Sequence, residues 1–138
     1  MKRYEFFDHT AEVGVRAFGR RQEELFQNMA LGMFDLMVDV EKVQPHRELK
    51  IEVSADNVEE LLIAWLRELL YQCDTQRQVF SHFEISRLEE NSLVAVAKGE
   101  PIDLKRHGCK KEVKAVTYYG LSVREKNGIW EAEVIFDI

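Results

Sequence analysis

The sequence predicts an α+β fold in two layers, two helices packed on a mixed, mostly antiparallel sheet. Three observations predict it. Two stretches carry apolar residues at helical spacing, one through Leu25, Met29, Met33, Leu36 and Met37, the other through Leu62, Trp65, Leu66, Leu69 and Leu70. Short stretches before and between them alternate with the period of a strand. Past Thr75 the pattern is strand throughout, broken only at Asn91-Ser92 and Asn127-Gly128.

Taken in order, a short strand spans about Tyr4 to Phe7, and Val13, Val15 and Ala17 alternate in a second strand that ends at Gly19. The first helix follows, with Glu23 and Glu24 in its first turn, where carboxylates suit the positive end of the helix dipole. Its methionine stripe is core packing. Leu49, Ile51 and Val53 alternate from Glu48 to Val53. Asp56 opens the second helix with D-N-V-E, a capping-box pattern completed by Glu59. Four strands are then expected at about Val79–Glu89, Ser92–Lys98, Glu112–Lys126 and Ile129–Asp137. The predicted order is β-β-α-β-α-β-β-β-β.

Composition narrows the function classes. The chain of 138 residues is one domain's worth, with no Ser/Gly-rich linker and only two prolines, so a single domain over 1–138 is expected. A formal charge of −6 argues against a broad basic surface for nucleic acid, while leaving room for a local basic patch. Cys73 and Cys109 have no metal-type spacing, which reads as free thiols in a reducing compartment. No apolar run approaches the roughly 18 residues of a membrane span, and MKRYEFFDHT has no signal-peptide core, so no membrane association and a cytoplasmic location are expected.

The last six residues, EVIFDI, end in an acid and an isoleucine. With Asn127-Gly128 as a two-residue hairpin loop, Lys126 faces Ile129 and the pairing runs through Val123–Ala132, Leu121–Val134 and Tyr119–Phe136 on the core face. The other face carries Arg124 opposite Glu131, Ser122 opposite Glu133 and Asp137 opposite Tyr118, with Lys114 and Val116 farther along and the Ile138 carboxylate near Thr117. A β-bulge would break this register. A second acidic group stands in DHTAEVG, where Asp8, His9 and Glu12 fall between two predicted strands. Carboxylate and carbonyl oxygens suit hard divalent cations, and imidazole admits softer ones. By itself the cluster is a weak signal, and such a stretch is more often just a turn in which Asp8 caps backbone amides.

DHTAEVG after YEFF, then ELFQNMALGMFDLMVD, KGEPIDLKRH, EVKAVTY and the terminal EVIFDI together resemble the archease family, in the same order from Tyr4 to the last residue. The resemblance implies a small cytoplasmic α+β protein with no catalysis of its own. Such a protein serves as cofactor to the GTP-dependent RNA ligase of tRNA splicing and RNA repair, which joins a terminal phosphate or cyclic phosphate to a 5′-hydroxyl. It promotes guanylylation of the ligase histidine and multiple turnover, and meets RNA and GTP only through the ligase. It further implies a divalent cation, Ca²⁺ or Mg²⁺/Mn²⁺, held by the acids of the DHTAD motif and the terminal Asp-Ile. Here those positions are Asp8 or its neighbour His9, Glu12, Asp137 and the Ile138 carboxylate. Lys114 matches a basic residue of the later segment that matters in the family.

Two positions depart from the family pattern. Glu12 stands where Asp is usual; its extra methylene reaches farther but holds the carboxylate less firmly. Tyr119 stands where the common TYHG has histidine. The remaining candidates carry two readings each. His9 is a ligand or, more ordinarily, a structural histidine. His107, with Lys105, Arg106, Lys110 and Lys111, belongs either to a basic patch touching phosphate or an acidic partner surface, or to a solvated loop. The alternatives to ligase activation are a metal-dependent hydrolase or nuclease using Asp8, Glu12 and Asp137, which lacks a nucleophile or base motif, and a small RNA-binding chaperone or modifier-binding module using Lys105 to Lys114.

Overall fold

In a computed structural model, residues 1–9 and 11–138 are described, the His9 side chain excepted. The chain runs β1 (Tyr4–His9), β2 (Glu12–Gly19), α1 (Gln22–Met37), β3 (Arg47–Ser54), α2 (Val58–Gln76), β4 (Gln78–Leu88), β5 (Ser92–Pro101), β6 (Ala115–Lys126) and β7 (Ile129–Asp137), with one 3-10 turn at Val40–Lys42. The order of strands and helices expected from periodicity is the order found, and the class is α+β.

The sheet differs from expectation. The strands described form two sheets, ordered β1-β2-β7-β6 and β3-β5-β4, and every pairing is antiparallel. Alternation reports which residues of a strand face the core, but not which strand lies beside it. Here β2 is inserted between β1 and β7, a pairing across more than a hundred residues of chain. The loop after β5 carries the chain from one sheet to the other.

Both helices pack on both sheets. α1 lies on β1, β2 and β7 and also on β4, while α2 lies on β6 and on β3, β4 and β5. A helix covered from two sides must be apolar around much of its circumference. In α1, Leu25, Phe26, Met29, Met33, Phe34 and Met37 are all buried, the methionine stripe included. Phe34 stacks against Phe83 with centroids 6.0 Å apart and meets Phe80 edge-on at 5.6 Å. Trp65 of α2 meets Phe83 edge-on and donates its indole N–H to the Phe26 carbonyl at 3.0 Å, which locks the helices together.

Helix ends show where local chemistry decides. The cap of α2 is Asn57, not Asp56: its side-chain oxygen accepts the Glu60 N–H at 2.9 Å. The three-residue spacing from cap to acceptor N–H is satisfied one step later than the D-N-V-E pattern suggested, with Glu60 in the capping-box position. At its other end α1 has no basic residue in its last turn. The loop between β5 and β6 supplies what is missing. The Lys110 and Lys111 N–H groups donate to the Met37 and Leu36 carbonyls at 2.8 and 3.1 Å, and Lys110 Nζ reaches the Asp35 carbonyl and Oδ1. Those carbonyls would otherwise have no intrahelical partner. Asp35 is further held by the Tyr4 hydroxyl at 3.0 Å, which ties the loop to β1.

Candidate functional site

Between β1 and β2, Ala11 takes a left-handed backbone, φ +57°. That geometry sets the register that follows: His9 opposite Glu12, Asp8 opposite Val13 and Phe7 opposite Gly14. On its other side β2 pairs with β7, placing Glu12 opposite Asp137 and Val13 opposite Phe136. The loop acid and the penultimate residue are therefore directly facing neighbours on adjacent strands. Opposed residues on antiparallel strands stand about 5 Å apart and share a face.

Alternation settles which face. Val13, Val15 and Ala17, and Val134 and Phe136, are buried against the helices. Glu12 and Asp137 hence lie on the face away from the helices. Asp8 takes the same parity as Val13 and lies toward the helix side at the exposed edge of β1, so the structure brings Glu12 and Asp137 together and sets Asp8 apart. His9 shares the register position of Glu12; its side chain is outside the described residues. The Ile138 side chain packs against the core, anchoring the backbone just beyond Asp137.

The β6–β7 hairpin has the expected turn, with Asn127 and Gly128 both left-handed at φ +54° and +77°. Its register runs as predicted from Lys126–Ile129 to Ser122–Glu133 and then breaks. Tyr118, Tyr119, Gly120 and Leu121 all stand opposite the single residue Val134, after which Thr117 meets Ile135 and Ala115 meets Asp137. Asp137 thus faces Ala115 rather than Tyr118, and Val116 is buried opposite Phe136 instead of sharing the outer face. The bulge needs the left-handed backbone of Gly120, φ +66°, and is pinned by Arg67. That guanidinium donates to the Val116 carbonyl at 2.9 Å and lies 4.8 Å from the centre of the Tyr118 ring. A glycine within a strand pattern is the signal that could have marked it.

Lys114 sits immediately beyond this pairing, exposed, and its N–H donates to the Asp137 carbonyl at 2.7 Å. The backbone of the basic candidate is thereby tied to that of the acid. Farther along the same outer face, the Phe7 ring lies directly over Gly14, where a Cβ would come within 2.1 Å of it. Arg16 stacks on Phe7 and bridges Glu5 and Glu133. Lys2, whose ammonium donates to Glu5 Oε1 at 2.9 Å, and then Arg16 hold the Glu5 carboxyl below its ordinary range.

His107 corrects the surface reading. It is fully buried, so it touches neither phosphate nor a partner. Its Nδ1 accepts the Asp103 N–H at 2.9 Å, which leaves Nε2–H to donate to Glu100 Oε2 at 3.0 Å. Glu100 also accepts two bonds from Arg106, at 2.6 and 2.9 Å, and the Gln44 N–H at 2.7 Å. The Arg106 guanidinium is the main reason its carboxyl is held down to about 2. Arg106 belongs to this internal knot and Lys110 to the end of α1, leaving Lys105 and Lys111 as exposed cations of the predicted patch whose side chains make no hydrogen bond or ion pair among the described residues.

Residues 4–138 match the archease protein family. The chain belongs to that family. It is 40% identical to an archease of Thermococcus gammatolerans over the full length of both chains, and 38% identical to one from Methanosarcina mazei over 99% of this chain and 97% of that protein. Its fold superposes on the solution structure of protein 1598 of Methanobacterium thermoautotrophicum with a TM-score of 0.83, at 36% identity and complete coverage of both. The crystal structure of an archease from Thermotoga maritima shares the fold at a TM-score of 0.68 and 18% identity, covering 96% of this chain and 94% of that one. Among the described residues, no helix is long and apolar enough to cross a membrane.

Proposed function

We propose that this protein is a non-catalytic activator of a GTP-dependent RNA ligase in tRNA splicing and RNA repair, acting through the acidic end of the β1-β2-β7-β6 sheet. The observation that carries the reading is the register that sets Glu12 opposite Asp137, with Lys114 bonded to the Asp137 backbone. Family membership supports this partner class, and the register of β2 and β7 supports this end of the sheet as the place of contact.

The donor set is compatible with a hard divalent cation, Ca²⁺ or Mg²⁺/Mn²⁺. Two carboxylates facing each other across a strand pair repel, and a cation beside them removes that cost. Among the described residues no group of three or more His, Cys, Asp or Glu side chains converges. Glu12 and Asp137 would therefore hold the ion together with non-side-chain oxygens, the Ile138 carboxylate foremost, and solvent. Calcium and magnesium both accept carbonyl, carboxylate and water oxygens in such mixtures. A cation held there would supply positive charge where nucleotidyl transfer needs a triphosphate placed and neutralised. The protein's own residues do the rest. Glu12 and Asp137 present the charge at a sheet end, the Lys114 amide fixes the Asp137 backbone, and the exposed Lys114 side chain can meet an anionic group of the partner.

The test is RNA ligation by the cognate ligase, with the protein substoichiometric to RNA. Wild type raises the rate and permits multiple turnover; Asp137→Ala loses the stimulation while its thermal midpoint stays within a few degrees of wild type. Full stimulation by a folded Asp137→Ala variant refutes the role. RNA breakdown without ligase would instead favour a hydrolase.

A further inference from the structure

The chain's two cysteines lie far apart in sequence, yet both line one cleft of about 390 Å³ at the ends of the two helices. Cys73 lies in the last turns of α2 and is half-buried; Cys109 lies in the β5–β6 loop and is exposed. Neither position is accidental. Arg77 ends α2 in a left-handed conformation, φ +56°, and its carbonyl accepts the Ile102 N–H at 2.9 Å, which ties the start of the loop to the end of α2. The N–H groups of Lys110 and Lys111 then tie the residues after Cys109 to the end of α1. Cys109 is held between these two anchors, and both cysteines line the same cleft.

No third His, Cys, Asp or Glu joins them to make a metal site among the described residues. We propose that Cys73 and Cys109 form a dithiol–disulfide pair that hydrogen peroxide closes, stapling the β5–β6 loop onto the end of α2.

The order of events follows from the surroundings. Burial pushes the Cys73 thiol up to about 11, with Asp74 opposing its ionisation further. Cys73 therefore carries little thiolate at neutral pH, and the thiolate is the nucleophile. The exposed Cys109 meets the oxidant first. Its thiolate attacks one oxygen of the peroxide, the O–O bond breaks, and hydroxide leaves to become water, giving a sulfenic acid. Cys73 then loses its proton to solvent and its sulfur attacks Cys109 Sγ. The S–S bond forms, the S–O bond breaks, and a second water departs. Two thiols have lost two electrons and one peroxide has become two waters. Because Cys73 ionises only at high pH, closure accelerates from pH 7 to pH 9.

The staple closes a loop of roughly 36 residues, long enough for a sizeable reduction in unfolded-chain entropy. It also immobilises the segment that leads to Lys114, independently of which partner Lys114 meets.

The experiment treats the folded protein with hydrogen peroxide, alkylates under non-reducing conditions, and reads intact mass and linked peptides. Wild type is expected to lose about 2 Da as two hydrogens leave. It yields a Cys73–Cys109 cross-linked peptide, and its thermal midpoint rises by several degrees, all reversed by dithiothreitol. Cys73→Ser gains oxygen on Cys109 without a cross-link, and Cys109→Ser keeps Cys73 alkylatable once unfolded. Oxygen added to Cys109 in wild type while Cys73 stays fully alkylatable overturns the proposal. So does cross-linking only between separate chains.

Discussion

Glu100→Gln is the sharpest probe of the loop that leads to Lys114. The carboxylate accepts four hydrogen bonds from Gln44, Arg106 and His107. Oε2 takes three of them, so an amide will turn its oxygen to that position. Its NH₂ group must then face Arg106 Nη2, which donates to Oε1 at 2.6 Å in the native protein. One charge-assisted bond, worth about 1.5–3 kcal/mol, becomes a donor–donor contact. Arg106 remains 44% exposed and recovers water, so the larger penalty of a stranded buried charge is avoided. The expected loss is about 2–3 kcal/mol, or roughly 8–12 °C in Tm for a chain of this length.

The pH dependence adds a second reading of the same substitution. The folded carboxyl sits at about 2, below its ordinary 4.5, so its stabilisation is complete above about 4.5 and is lost as pH falls through about 2. Urea melts of wild type and variant should therefore differ most near neutral pH and converge between about pH 4.5 and 2, as the native acid becomes neutral like the amide. A variant within 0.5 kcal/mol of wild type at pH 7, by the usual scatter of surface substitutions, would refute the reasoning. So would a difference that fails to shrink in acid.

Three further substitutions test individual joints of the fold. Gly14→Ala puts a Cβ 2.1 Å from the Phe7 ring, which must lift and break its stack with Arg16; about 1–3 kcal/mol should be lost in a chemical melt. Asn57→Ala removes the cap of α2 and should cost about 1 kcal/mol, with faster amide exchange at Glu60. Ala11→Gly relieves a left-handed alanine beside the acidic pair and should raise stability by about 0.5 kcal/mol, measured as a small increase in Tm.

The two helices and the order of the strands were legible because helical and strand periods each repeat over enough residues to stand out, as in Met29–Met33–Met37 and Val13–Val15–Ala17. Asn127-Gly128 was legible because few dipeptides tolerate two left-handed residues in succession. His107 was misplaced because its neighbours in sequence are lysines and an arginine, whereas its partner in space is Glu100 across a loop. The end of β6 was misplaced because Gly120 allows four residues to stand against one.

The candidate site divides the same way. Acids near both termini, and the family to which their motifs point, are properties of the letters alone. That Glu12 faces Asp137 while Asp8 turns to the opposite side is a matter of strand order and parity, set when β2 inserts between β1 and β7. Local sequence determines how each segment is patterned, because those preferences are local energies. Which segments meet depends on burying all their apolar faces at once around two helices, and only the assembled chain solves that.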